Sequence, residues 1–392
     1  MMPAEPEPRV EAATPSSPEG RRRRVAGLVL TVVVLGLVGV AAGPTTLRLV
    51  ALVTVAEGLG FDPPRPLAPD VVRERDTLGD VEVDRYRPVA AERRGRLPSA
   101  VTTSTPRAGK RPAIVLLPGA TPAGRDDRRV VDIATAVAGA DRVVVVPQLA
   151  VYDEQLLPED VDRIIEVASV LAAEHDGVVL TGLSFGGSLG VIAAADPRLR
   201  SEVRLIATFG SYADLAGVVQ AATTGTSLVN DQRIPWDPDP RAATVVRTQV
   251  LDLLEPTDRT QVTRALDGDL DPTTLPRALR AVHDLLTDPD PTRTFDHLQA
   301  SPEAVQRRIA EVSPTRAAVD LTAPLLTLHA VDDPVIPVGE QARFAAAYPQ
   351  TRTLELTTFD HVGLTDDGQP WWVTAGDLWQ TARFVHAILD AR

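Results

Sequence analysis

One stretch constrains this chain more than any other: Val178-Val179-Leu180-Thr181-Gly182-Leu183-Ser184-Phe185-Gly186-Gly187. An apolar run ends in Gly-x-Ser-x-Gly, and a helix-forming segment follows. That order predicts a strand, a sharp turn and a helix, with Ser184 exposed at the tip in a strained backbone conformation. Strand and helix then pass so close that the positions two before and two after the serine must be small. Gly182 and Gly186 meet that demand because glycine has no Cβ. A glycine-rich turn of this kind also fits a plain loop, or a phosphate cradle at a helix N-terminus. The phosphate reading is the weaker one, since there is no G-x-x-x-x-G-K-[ST] and the single lysine, Lys110, is remote in sequence. Ser184 is therefore expected to be a nucleophile.

The flanking sequence predicts the scaffold. Val81 to Tyr86 alternates with period two, as an early edge strand would. Ala113 to Leu117, Val143 to Val146, Val178 to Thr181, Val203 to Phe209 and Leu325 to Leu328 are short apolar runs, the mark of strands buried on both faces of a parallel sheet. Helical stretches lie among them at Arg128 to Ala138, Pro158 to Glu174 and Phe185 to Ala195, and residues 90–110 read as a polar loop. Strands alternating with helices predict a doubly wound α/β fold. The alternation stops after Phe209. Residues 213–320 hold helix-like pieces separated by Pro- and Asp-rich turns, expected as a helical cap inserted over the sheet. It then resumes with a helix near Glu340 to Ala347, a strand Thr353 to Thr358 and a last helix Asp377 to Leu389. The core is expected in two pieces, 70–212 and 321–392.

A serine hydroxyl needs a base within hydrogen-bond reach, and the base needs an orienting acid. Of the six histidines, His361 alone follows a predicted strand in a loop suited to catalysis, in Phe359-Asp360-His361-Val362-Gly363. His175 ends a helix, His283 and His297 lie in the insertion, His329 is expected to be structural and His386 falls inside the last helix. For the acid, the strand Leu325 to Leu328 runs into Asp332-Asp333-Pro334-Val335-Ile336-Pro337. Here the chain resembles the α/β-hydrolases, whose acid loop after this strand commonly reads Asp-x-apolar-apolar-Pro. The resemblance implies Asp333 as the acid, ahead of its neighbour Asp332. Asp214 is the alternative where the acid sits one strand earlier. The order Ser184, Asp333, His361 is the one the family requires.

The resemblance spans roughly residues 75–391 and extends to the oxyanion donors. It implies the backbone N–H of Phe185 and one from the loop Pro118-Gly119-Ala120-Thr121-Pro122, with Ala120 favoured and Gly119 second. Family members often have His-Gly where this chain has Pro118-Gly119. The implied activity is a serine hydrolase acting on an acyl substrate of small-molecule size, most simply a carboxylic ester, without metal or organic cofactor. Two other classes stay open: a hydrolase-fold protein that binds without turnover, and a peptidase, acyltransferase or cofactor-free haloperoxidase on the same scaffold.

Before the core, residues 1–24 read as a disordered tail ending in Arg21 to Arg24, and 25–43 as an uncharged run long enough for a bilayer. Cationic flanks stay cytoplasmic, so one transmembrane anchor with an extracytoplasmic core is expected. A cleaved signal peptide is the competing reading. Residues 44–69 are expected to form a juxtamembrane amphipathic segment and a stiff linker. A net charge of −13 argues against a nucleic-acid binder, and the absence of cysteine excludes thiol nucleophiles and thiolate metal sites.

Overall fold

The computed structural model describes residues 71–89, 111–229, 232–361 and 369–392. The expected tail, transmembrane anchor and juxtamembrane segment lie outside the described residues, as does the loop 90–110. Among the described residues no helix is long and apolar enough to cross a membrane.

The strands are β1 (Val71–Leu78), β2 (Val81–Pro88), β3 (Ala113–Leu117), β4 (Val144–Pro147), β5 (Val178–Leu183), β6 (Val203–Phe209), β7 (Thr226–Val229), β8 (Gln232–Pro235), β9 (Leu325–Ala330) and β10 (Arg352–Leu356). Eight of them form one sheet in the order β1-β2-β4-β3-β5-β6-β9-β10. Pairing is parallel from β4 to β10, while β1 and β2 are antiparallel additions. Between the strands run α1 (Arg128–Gly139), α2 (Glu159–Glu174) and α3 (Ser184–Ala195). The insertion after β6 contains α4 (Leu215–Thr224), the β7–β8 hairpin, α5 (Pro240–Asp252), α6 (Pro256–Leu266), α7 (Arg277–Leu285), α8 (Thr294–Ala300), α9 (Glu303–Glu311) and α10 (Pro314–Ala317). The core closes with α11 (Gly339–Ala347) and α12 (Trp371–Asp390).

The apolar runs work as expected of doubly covered strands. Along β3, Ala113, Val115 and Leu117 enter one apolar cluster, shared with α2, α3, α11 and the insertion. Ile114 and Leu116 enter the other, shared with α1 and α12. Side chains alternate across the pleat, so a strand covered on both faces must be apolar at every position. The result is a three-layer sandwich in which the catalytic candidates follow β5, β9 and β10.

Three expectations need correction. The strand from Val81 is not the edge of the sheet; β1 lies outside it in an eight-residue antiparallel register. The charged sequence of β1 hides that strand from an apolar-periodicity reading, and the same charges guard an exposed edge against pairing with other chains. The insertion is not purely helical, because it carries the polar β7–β8 hairpin. The last helix begins at Trp371, six positions before Asp377. Asp377 does not start it: its carboxylate accepts the N–H groups of Thr357 and Thr358 and the Thr358 hydroxyl, at 2.6–2.8 Å.

A buried carboxyl joins the insertion to the core. Glu340 on α11 accepts the N–H groups of Ala213 and Asp214 at 3.0 and 2.8 Å and lies 3.0 Å from Arg343. Burial pushes its pKa from 4.5 up to about 7, against the pull of Arg343 and the two amides. A folded-state value above the unfolded one gives stability that is full below about pH 4.5 and is lost as the pH rises through about 7. Thermal melts between pH 5 and 8 are expected to show this loss, worth about 3 kcal/mol, in the wild type. The Glu340→Gln variant should lack it. Burial lowers the pKa of His329, which acts in the opposite sense as pH falls and cancels in the comparison.

Candidate active site

Ser184 sits where β5 turns into α3, with φ +50, a left-handed conformation rare for a residue with a side chain. Its surroundings explain how that strain is held. A Cβ on Gly182 would fall 2.4 Å from the Cα of Gly187, so strand and helix touch backbone to backbone. A Cβ on Gly186 would fall 2.2 Å from the Pro118 carbonyl oxygen and 2.4 Å from that of Leu117. The first glycine is therefore required by the strand–helix approach, and the second by the end of β3. The Ser211 hydroxyl donates to the Ser184 carbonyl at 2.8 Å. Phe185 packs edge-on against Tyr212, with ring centroids 5.7 Å apart.

The loop after β3 lies against Ser184. A Cβ on Gly119 would stand 2.7 Å from Ser184 Cβ and 3.4 Å from its Oγ. Ala120 follows, half-buried against the core. Phe185 occupies the first turn of α3, where backbone N–H groups have no partner inside the helix. The loop is braced by Thr121, whose N–H donates to the Tyr152 carbonyl and whose hydroxyl donates to Asp127. Just beyond it, the Arg125 side chain is largely buried. It pairs at 3.0 Å with Asp84, a fully buried carboxylate on β2, and at 2.9 Å with Glu82. A buried charge needs such a partner, and nothing in the local sequence around Arg125 names it.

Asp333 and His361 meet directly. The Nδ1–H of His361 donates to Asp333 Oδ2 at 2.7 Å. Asp333 Oδ1 accepts the N–H groups of Val335 and Ile336 at 2.8 and 2.9 Å. Burial alone would push the Asp333 carboxyl up, but the imidazoles of His361 and His329 and the Ile336 amide outweigh it and hold it below the ordinary range. An ionised Asp333 carboxylate accepts a proton carried on His361 Nδ1, and the proton-free nitrogen of that tautomer is Nε2. The dipeptide Gly210-Ser211 links this pair to Ser184. Gly210 abuts the His361 ring, a Cβ there falling 3.0 Å from Nδ1, while Ser211 holds the Ser184 carbonyl.

The rival Asp214 is occupied elsewhere. Asp214 caps α4 by accepting the Ala216 N–H and also contacts Ser313, and Asp332 is exposed. His329 is structural, as expected, yet it touches the site. Its Nε2–H donates to the Ile336 carbonyl at 2.9 Å and lies 3.4 Å from Asp333 Oδ2. Asp377, by gripping Thr357 and Thr358, steadies the strand end that carries His361, and Phe359 packs edge-on against Phe209 at 6.1 Å. Sequence reading missed the roles of Asp377 and Phe359, whose partners lie 19 or more positions away. Among the described residues no group of three or more His, Asp or Glu side chains is placed to hold a metal ion.

Alanine at position 186 is expected to destabilise the protein by about 1–3 kcal/mol, because its Cβ would have to displace two backbone carbonyls. Alanine at Gly376, an open site on α12 with nothing within 4 Å, should stabilise by about 0.8–1 kcal/mol. Urea melts of the two variants check both signs.

No family model and no curated protein matches the sequence. Among solved structures, a hyperthermophilic esterase from the archaeon Pyrobaculum calidifontis is 15% identical with a TM-score of 0.46, the match covering 96% of this chain and 98% of the esterase. A puromycin-hydrolyzing peptidase of Mycobacterium tuberculosis is 16% identical with a TM-score of 0.46; 83% of this chain is covered, and it spans only 39% of the peptidase. A proline iminopeptidase of Mycobacterium smegmatis is 16% identical with a TM-score of 0.40, over 81% of this chain and 99% of the iminopeptidase.

Proposed function

We propose that this chain, an α/β-hydrolase by the order of its sheet and its strand–turn–helix at Ser184, is a serine hydrolase that cleaves a carboxylic ester, thioester or amide. The observation that carries the reading is the 2.7 Å bond between His361 and the buried, ionised Asp333, tied to Ser184 through Gly210 and Ser211. In this mechanism Nε2 of His361 takes the proton of the Ser184 hydroxyl as Oγ attacks the acyl carbonyl. Asp333 holds the ring and stabilises the imidazolium. The N–H groups of Phe185 and of the Gly119–Ala120 loop receive the developing oxyanion. His361 returns the proton to the leaving group, giving an acyl-enzyme. Water then attacks the acyl carbon, His361 taking its proton and passing it to the departing Ser184 oxygen. An ester is the simplest substrate, and the insertion is suited to shape access to the serine.

The reading is tested with p-nitrophenyl esters of graded chain length and a fluorophosphonate probe. Wild type is expected to hydrolyse esters and to be labelled at Ser184, and Ser184→Ala should lose both. Asp333→Asn should lower kcat by about 10⁴-fold, as expected when the acid no longer holds the imidazole in the right tautomer. A wild type that neither turns over esters nor reacts with the probe overturns the assignment.

The arginines Arg21 to Arg24 and the uncharged run after them support a membrane anchor with the catalytic part outside the cytoplasm. A reporter fused after Arg392 is expected to register there; a cytoplasmic signal would reverse the topology.

A further inference from the structure

The loop bearing the acid draws part of its support from outside the sheet. The Asp333 side chain holds the loop's amides, those of Val335 and Ile336, and His329 holds the Ile336 carbonyl. The two carbonyls at the acid itself go to the insertion. The indole N–H of Trp236 donates to the Asp333 carbonyl at 2.7 Å, and the Asp239 N–H donates to the Pro334 carbonyl at 2.8 Å. Both donors are themselves tied down. The Trp236 N–H donates to the Gly225 carbonyl at 2.8 Å, at the end of α4, and the Asp239 side chain caps α5 by accepting the Arg241 N–H at 2.7 Å. The orientation of the Asp333 peptide is thus shared between β9 and a segment 97 positions earlier.

We propose that Trp236 is a positioning residue, through which the insertion sets the orientation of Asp333 and so of His361. A ligand that displaces the insertion would act on the base through the same bond. The proposal rests on the serine-hydrolase reading for its effect on rate, but not for its effect on geometry. Swinging the Asp333 peptide moves the carboxylate with it, and misplacing a catalytic group by about 1 Å can cost about 100-fold in rate.

The test compares Trp236→Phe, which keeps an aromatic ring and removes the donor, with Trp379→Phe at an exposed position on α12. Three quantities are read in the full chain: the rate of fluorophosphonate labelling, kcat and KM on a p-nitrophenyl ester, and the downfield NMR signal of the His361 Nδ1 proton. Trp236→Phe is expected to melt as a folded protein and to label about tenfold more slowly. Its kcat should fall in step at unchanged KM, and its Nδ1 proton signal should shift. Trp379→Phe should match wild type in all three. An unmoved proton signal in Trp236→Phe overturns the proposal whatever the activity, as does a change confined to KM. A shifted signal in a protein whose wild type is never labelled upholds the positioning role and removes the serine-hydrolase reading instead.

Discussion

The backbone contact between Gly182 and Gly187 is the constraint on which the site depends. Strand and helix meet with no side chain between them, and the residue at the corner is forced into φ +50. A non-glycine residue there stores roughly 1–3 kcal/mol of strain, and the neighbours must over-determine the conformation. They do so from three directions. The end of β3 presses on Gly186, the Ser211 hydroxyl holds the Ser184 carbonyl, and the Phe185 ring is wedged against Tyr212. The same crowding that strains the serine brings the loop at Gly119 onto it, so the strain at Ser184 and the close approach of that loop share one cause.

The acid–base pair obeys a different constraint. Asp333 is buried, and a buried carboxylate must be compensated by donors. Val335, Ile336 and His361 supply hydrogen bonds and His329 adds a close imidazole. This donor set holds the Asp333 carboxyl below its ordinary range where burial alone would raise it, and a charged carboxylate favours the His361 tautomer protonated on Nδ1. Parallel strands carry both residues to the same edge of the sheet. β9 and β10 are neighbours in direct register, so residues after their ends meet without a long side chain having to reach.

Much of the scaffold was legible beforehand because its cause is local. A strand covered on both faces must be apolar throughout, and an elbow with no room must be glycine, so β3, β5 and the turn at Ser184 carry their own signatures. β1 left no such trace, because the exposed middle of this edge strand is charged, which protects the edge. Arg125, Asp377 and Trp236 were likewise hidden. Each owes its role to a partner remote in sequence: the buried Asp84, the end of β10 and the carbonyl of Asp333. Hydrophobic period and motif spacing are short-range quantities and carry no record of such pairings.

The sequence by itself therefore determined the α/β alternation, the glycine-flanked turn at Ser184 and the order of Ser184, Asp333 and His361, since these follow from backbone sterics and the chemistry of single residues. The tertiary structure decided which aspartate the histidine meets, how the buried Asp333 carboxyl is held below its ordinary range, and which insertion side chain grips its carbonyl. Those outcomes turn on hydrogen bonds between segments that come together only when the sheet closes.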